Sequence, residues 1–300
     1  IFLGAVLPIV WVCIGLSGSL TAAVLFNIFR IGPMYMHFAQ VYTLCHMEPH
    51  RSYHLFSCGN KHPFSFIFNF WVGLFHGVLP GTFTESHISN HHKWDNGILD
   101  VYSTAGYRRD SWKSFFRYVP IWFAYASNIS NCCYFAARKE WGQLYRTVMG
   151  TIYYLLFLTL AVMCFGWQFT LITSVYPFFE GNTLLALVNY TWHMFLEDDN
   201  EFVSSLTIEE GTEFIYSEEY HVVHHDIPGL HHKRYRSRFE KYEDHYDIIF
   251  EKVNLFELGI TAICQNYERL AKMVKITEKS GSDRKVIAEL LKKRLQHTQW

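Results

Sequence analysis

Residues 1–29 (IFLGAVLPIVWVCIGLSGSLTAAVLFNIF) contain no charged side chain, and from Ile1 to Cys45 the only formal charge is Arg30. A helix needs about 20 apolar residues to cross the hydrocarbon of a bilayer. Backbone amides in lipid must be satisfied within their own segment, so a run of this kind is confined to helices. Two arrangements fit the length: one tilted span with an interfacial piece, or a tight hairpin turning near Gly15–Gly18. The hairpin is preferred, with its second arm delivering His46.

Further along, residues 63–84 are apolar but broken by His76, Gly77 and Pro80, which fits a re-entrant or interfacial helix better than a clean crossing. Residues 111–137 mix aromatics with Lys113, Arg117 and Arg138 at the edges and read as an interfacial helix. Residues 148–167 (VMGTIYYLLFLTLAVMCFGW) are uncharged and form the clearest span after the first. Residues 168–196 hold a further apolar run, interrupted by Pro177 and Glu180–Gly181–Asn182, as a return span ending at His193. The expected fold class is therefore all-α: an integral membrane protein with about four transmembrane helices in two hairpins and a cytosolic, histidine-rich helical cap. The loops carry Arg51, Lys61, Lys93, Arg108, Arg109, Lys113, Arg138, Lys139 and Arg146, and the positive-inside rule makes their side cytoplasmic. Residues 1–250 read as the membrane catalytic domain and 251–300 as a charged C-terminal helix and tail. The amphipathic stretch VIAELLKKRL is expected to pack on the cap or the membrane surface.

Formal net charge is −1, so nothing marks the chain as nucleic-acid binding. The seven cysteines are odd in number and form no CxxC pair, which argues against a disulfide framework and a zinc ribbon. The apolar start lacks a basic n-region and an A-x-A site and exceeds the length of a signal h-region, so it does not itself read as a signal peptide.

The chemistry lies in the histidines. Nine of seventeen fall into four clusters: His46 and His50 in HMEPH; His87, His91 and His92 in HISNHH; His193 in NYTWH, behind Asn189; and His221, His224 and His225 in HVVHH. Residues three or four apart share one face of a helix, so each cluster can aim its imidazoles at a common point. Isolated His37, His54, His62, His76, His245 and His297 read as ordinary hydrogen-bonded histidines, and His231 and His232 as exposed or supporting residues. Ionisable groups beside apolar spans are costly and mark function. Neutral imidazole suits Fe, Cu, Ni and Zn, and nine nitrogens are too many for one ion and about right for two. There is no HExxH, and nitrogen-rich ligation of two ions points to iron in O2 chemistry. Glu85, Asp95, Glu197, Asp198, Glu219 and Asp226 are candidates to accept the other ring N–H of a ligand.

HxxxH, HxxxHH, NxxxH and HxxHH, in that order among membrane spans, resemble the integral-membrane fatty acid desaturase superfamily, which includes alkane hydroxylases. The similarity covers roughly residues 1–250. The resemblance implies two irons held by His46, His50, His87, His91, His92, His193, His221, His224 and His225, with Asn189 reaching one iron through water. The second cluster, HxxxHH, looks like the hydroxylase form, and so does NYTWH. The gap from His193 to His221 looks closer to acyl-CoA desaturases. The first cluster has Met47 where an acid usually follows the first histidine, and Pro49 bends or restarts its helix. HMEPH also resembles the HExPH of zinc transporters, but transport ligands lie along a path at mid-bilayer, not at span ends. NYT matches a glycosylation sequon, taken as chance on the cytoplasmic side.

The implied reaction is O2-dependent attack on an unactivated C–H bond of a lipid acyl chain, carried as acyl-CoA or phospholipid. Loss of a second, adjacent hydrogen gives a cis alkene; return of oxygen to carbon gives an alcohol. Aromatics such as Phe66, Phe68, Trp71, Tyr153 and Trp192 either line an apolar tunnel or simply pack. The basic residues near 231–238 either meet a phosphate-bearing head group or belong to the positive-inside surface. With no HPGG haem segment, no GxGxxG and no cysteine run, electrons are expected from a separate partner of cytochrome b5, ferredoxin or rubredoxin type. The expected location is the endoplasmic reticulum membrane if the source is eukaryotic.

Overall fold

The computed structural model describes residues 2–50, 66–196, 205–211, 215–246 and 248–300. The expectations for Arg51, His54, Lys61, His62, Glu197 and Asp198 lie outside those residues. The chain divides into two compact units, residues 1–89 with 123–183 and residues 90–122 with 184–300.

In the first unit a π turn (Phe2–Val6) leads into α1 (Leu7–Ser17), and Gly18, at φ 66°, reverses the chain. Ser19 then caps α2 (Leu20–Ile31), its hydroxyl accepting from the Ala22 N–H at 3.2 Å. The turn falls where the expected hairpin needs it. The arm that follows, however, does not carry His46. Gly32 (φ 74°) and Pro33 stop α2, Met34 and Tyr35 adopt left-handed backbone, and a new helix, α3 (Met36–Met47), holds His46. Proline donates no N–H and disfavours helix in the residue before it, so the apolar run cannot stay one rod. Residues 66–84 are likewise broken, into α4 (Ile67–Phe70) and a 3₁₀ turn (Val72–His76) closed by Gly77 at φ 76°. A π-helix (Thr82–His91) follows and continues into the short α5 (His92–Trp94).

The region expected as one interfacial helix is two, α6 (Trp112–Ala126) and α7 (Ile129–Ala137), parted by Asn128 in left-handed backbone. Then come α8 (Trp141–Phe165), a reversal at Gly166, α9 (Trp167–Thr170), a π segment (Leu171–Val175) and α10 (Tyr176–Trp192). The last three form one continuous helix from Trp167 to Trp192, so Pro177 and the 180–182 stretch do not interrupt it. A proline ring presses on the carbonyl four residues back, here Thr173, and the wide π turn around that residue gives it room.

Among the described residues, Trp141–Phe165 and Trp167–Trp192 are the helices long and apolar enough to cross a membrane. Only 17% and 33% of their most apolar windows are buried in the protein. A soluble core helix would be hidden, whereas α8 turns Leu155, Leu156, Leu160 and Met163 outward. These surfaces fit lipid. The first hairpin's apolar helices, Gly4–Ser17 and Leu20–Ile31, are shorter. Where four spans are expected, the described residues show two long apolar helices and two shorter ones.

Trp11 organises the first unit's core, stacking on Phe157 at 5.5 Å and meeting Phe75, Phe165 and Phe169 at 5.2–5.4 Å, with its indole N–H on the Thr173 hydroxyl at 2.9 Å. The buried Arg30 guanidinium pairs with Glu180. A charge in an apolar unit persists only with such a partner.

The second unit contains α11 (His221–Asp226), α12 (Tyr235–Lys241), α13 (Leu255–Ile263), α14 (Tyr267–Met273) and α15 (Arg284–Gln296). Two residues of β1 (Ile208–Glu209) pair in parallel with β2 (Phe250–Glu251). Val222, Val223, Tyr235, Phe239 and Ile249 form a core beneath α11. The VIAELLKKRL stretch buries Ile287, Ala288, Leu291 and Leu295, so α15 is a packed helix of this unit.

Candidate metal centre

In the first unit, α3 tightens into a 3₁₀ turn (Glu48–His50) where Pro49 removes a helix donor. His46 and His50 thereby face His87, and one ring nitrogen of each lies within 4.8 Å of the others. The His46 and His87 rings are 4.3 Å apart, and His50 and His87 5.1 Å. Glu48, between the two histidines, is fully buried and is spent on structure: its carboxylate accepts from the Asn69 N–H and Nδ2, each at 2.9 Å. Cys45, beside His46, gives its thiol to the Phe68 carbonyl at 3.3 Å. The turn bearing His87 is pinned by Ser86 donating to Asn131 at 2.7 Å and Thr82 donating to Asn128 at 3.0 Å.

In the second unit, His91, His193 and His225 offer ring nitrogens within 4.8 Å of one another, with ring centroids 4.9–5.0 Å apart. His92 Nε2 and His224 Nε2 are 3.0 Å apart. Two imidazole nitrogens, each about 2.1 Å from one ion, lie about 3 Å apart when they subtend a right angle there. His221 lies 4.9 Å from His225 and stacks on Trp192 at 4.7 Å. Asn189 is buried and donates from Nδ2 to the Tyr118 hydroxyl at 2.7 Å.

Carboxylates orient these rings. Asp100 Oδ2 faces His91 Nδ1 at 2.6 Å, Glu218 Oε1 faces His221 Nδ1 at 2.9 Å, and Asp95 Oδ1 faces His225 Nδ1 at 3.0 Å. His224 Nδ1 sits 3.1 Å from the Tyr235 hydroxyl. The three carboxylates, as acceptors, favour the tautomer with hydrogen on Nδ1 and the lone pair on Nε2, which leaves Nε2 able to ligate a metal; the Tyr235 hydroxyl can accept from the same tautomer or donate to the other. His225 Nε2 is buried with no hydrogen-bond partner among the described residues, an arrangement water-free protein tolerates poorly and a cation satisfies. Burial pushes the Asp100 carboxyl up to about 7, against the Tyr102 N–H that it accepts. Burial opposes the Asp95 carboxylate too, but the hydrogen bond from His225 prevails and holds it at about 2.

Of the acids expected in this role, Asp95 fills it. Glu85 instead pairs with Arg146 at 2.8 Å, and Asp226 with Arg238 at 2.9 Å. Asp100 and Glu218 take the positions that sequence reasoning missed. Glu218 had a readable signal, three residues before His221; Asp100 reaches His91 only through the fold of a loop. Of the aromatics suggested for a tunnel, Trp71 donates to Gly4 O at 2.8 Å and Tyr153 to Phe70 O at 3.1 Å. In the basic stretch, Arg236 pairs with Glu240 and Arg238 with Asp226.

The chain is helical, carries two long apolar helices, and gathers its histidines into sets that could hold a metal ion, three of them with Nδ1 against a carboxylate. The donor set fits iron, as it fits other imidazole-binding ions. The family model for fatty acid desaturases matches residues 19–251. The chain belongs to that family, within the membrane fatty acid desaturase superfamily, and is a lipid-acting oxidoreductase. Comparisons with curated proteins and with solved structures find no match.

Proposed function

We propose that the protein is an O2-dependent fatty acid desaturase that holds two irons with His46, His50, His87, His91, His92, His193, His221, His224 and His225. The observation that carries the reading is the presence of two histidine sets that could each hold a metal ion on a chain of desaturase family. His46, His50 and His87 contribute to one iron, and His91, His193 and His225 to the other; His92, His221 and His224 complete the shells. Asn189 contacts one iron through water. Bound iron supplies the O2 chemistry that breaks an unactivated C–H bond. The chain's own residues do the rest. Asp95, Asp100 and Glu218 fix the imidazole tautomers, and the apolar helices admit an acyl chain from the bilayer, carried as acyl-CoA or phospholipid. Electrons arrive from a separate carrier of cytochrome b5, ferredoxin or rubredoxin type. Residues 1–250 act as the catalytic domain, with the site cytosolic and the two hairpins forming four membrane segments. In a eukaryote the location is the endoplasmic reticulum.

The HxxxHH form of the second cluster favours a second reading, an alkane or fatty acid hydroxylase. Expression in a host with a reductant system, followed by lipid analysis, separates the two: dehydrogenated lipid supports the desaturase and hydroxylated lipid the hydroxylase. Metal counting on the purified protein tests the centre itself. Near two irons per chain is expected; zinc alone overturns the reading. His224→Ala is expected to abolish turnover with helical content unchanged by circular dichroism, and retained turnover removes His224 from the site.

A further inference from the structure

Resting on that reading, we propose that Arg109 is a positioning residue for the metal centre, tying the His193 ligand to the C-terminal helix α15. Arg109 is fully buried, and among the described residues its guanidinium donates to carbonyls. Nε donates to Met194 O at 2.8 Å, Nη1 to Tyr107 O at 2.5 Å and Nη2 to Arg294 O at 2.7 Å. Its backbone N–H adds a fourth bond, to Leu295 O at 2.7 Å. Arg294 and Leu295 lie in the last turn of α15, where carbonyls lack helical partners and the helix dipole is negative. One cation thus closes the end of α15 and grips the peptide next to His193.

A second contact reaches the same ligand from the same loop. Thr104 Oγ1 donates to His193 O at 3.0 Å, and Thr104 is itself fixed by Asn96, whose Oδ1 accepts the Thr104 N–H at 2.7 Å. The loop is anchored against the C-terminal helices on its other side. Asp110 accepts from Tyr267 at 2.7 Å and from Gln296 at 2.8 Å, and Gln299 N–H donates to Ala105 O at 3.0 Å. Gly106 lets the loop pass Trp300: a Cβ there would lie 2.4 Å from Trp300 Nε1. Arg284 Nη1 locks α15 to α14 through Ala271 O at 2.5 Å and Val274 O at 2.7 Å. The last helices lie beyond the residues matched by the family model, which end at 251. They nevertheless hold the loop that carries Asp100 and the peptide after His193.

The test compares Arg109→Met, Arg109→Lys and Thr104→Val with the unchanged protein and with Arg269→Met, a surface arginine that pairs with Glu257. Iron per chain, iron affinity by chelator competition, and the Mössbauer spectrum are measured beside turnover. Arg109→Met is expected to lower affinity at one of the two irons about 10- to 100-fold, the range for residues that orient metal ligands. The doublet of that iron shifts while the other stays, and Arg109→Lys restores part of the loss. A merely structural arginine would lower the melting temperature of both Arg109 variants and leave the spectrum of the folded fraction unchanged, which overturns the proposal. If Arg109→Met does not fold, Thr104→Val decides, since it keeps the side-chain volume and removes only the hydroxyl: a shifted doublet supports the inference and an unshifted one rejects it. Absence of two irons in the unchanged protein indicts the functional reading instead, so the two failures are distinct.

Discussion

Asp100 and Glu85 show how alike two buried-looking acids are in sequence and how differently they act. Asp100 is buried with its oxygen 2.6 Å from His91 Nδ1. Glu85 faces Arg146, whose side chain is 56% exposed. Replacing a carboxylate that orients a ligating histidine lowers metal affinity about 10- to 100-fold. Asp100→Asn, which keeps an acceptor without its charge, is expected near the lower bound and Asp100→Ala near the upper, read by chelator competition. A partly exposed ion pair contributes about 0–1 kcal/mol. Glu85→Gln is therefore expected to leave iron affinity unchanged and move the melting point slightly; a tenfold loss of iron would put Glu85 back beside a ligand. The nine histidines were legible because spacing of three and four residues is local information. Their carboxylate partners were legible only where they share that locality, as Glu218 does with His221. Asp100 is nine residues from His91, and the turn that returns it rests on Asn90 accepting the Val101 N–H at 2.9 Å, which no spacing rule anticipates.

At the scale of elements, irregular turns carry the chemistry. The histidine helix Thr82–His91 is a π-helix, whose bonds skip five residues where an α-helix skips four. The first hairpin's turn at Gly18 and the reversal at Gly166 could be placed from composition, since glycine tolerates the backbone they need. The stop at Gly32–Pro33 was present in the sequence but masked by the apolar run around it. Close helix packing was not legible, because it depends on which small residue meets a backbone. Gly150 of α8 is such a residue: a Cβ there would lie 2.0 Å from Pro80 O and 2.6 Å from Pro80 C. Overpacking costs about 1–3 kcal/mol and more where backbone must move. Gly150→Ala is expected to lower the melting temperature in detergent and to disturb the turn preceding His87. Gly142→Ala on the same helix, where the nearest atom is the flexible end of Arg146 at 3.6 Å, should change it little. Equal effects of the two substitutions would refute the close contact.

At the scale of the whole molecule, the proposal depends on which side of the bilayer each segment faces. Helix α8 has 25 residues and the helix that follows Gly166 has 26. At 1.5 Å per residue each exceeds the roughly 30 Å of hydrocarbon, so both arms can cross with a modest tilt. If they do, the reversal at Gly166 emerges on the face opposite the histidine-bearing loops. Two exposed positions report on this: Cys264, after α13, and Gln168, just past the reversal. A variant keeping Cys264 alone, with the other cysteines replaced by alanine, is expected to react with a membrane-impermeant maleimide only from the cytosolic side of sealed vesicles. A second variant with Gln168→Cys as its single thiol is expected to react only from the other side. Labelling of both from one face would mean that α8 and its partner do not cross, and the acyl chain would then have to enter a site built on the surface of the membrane.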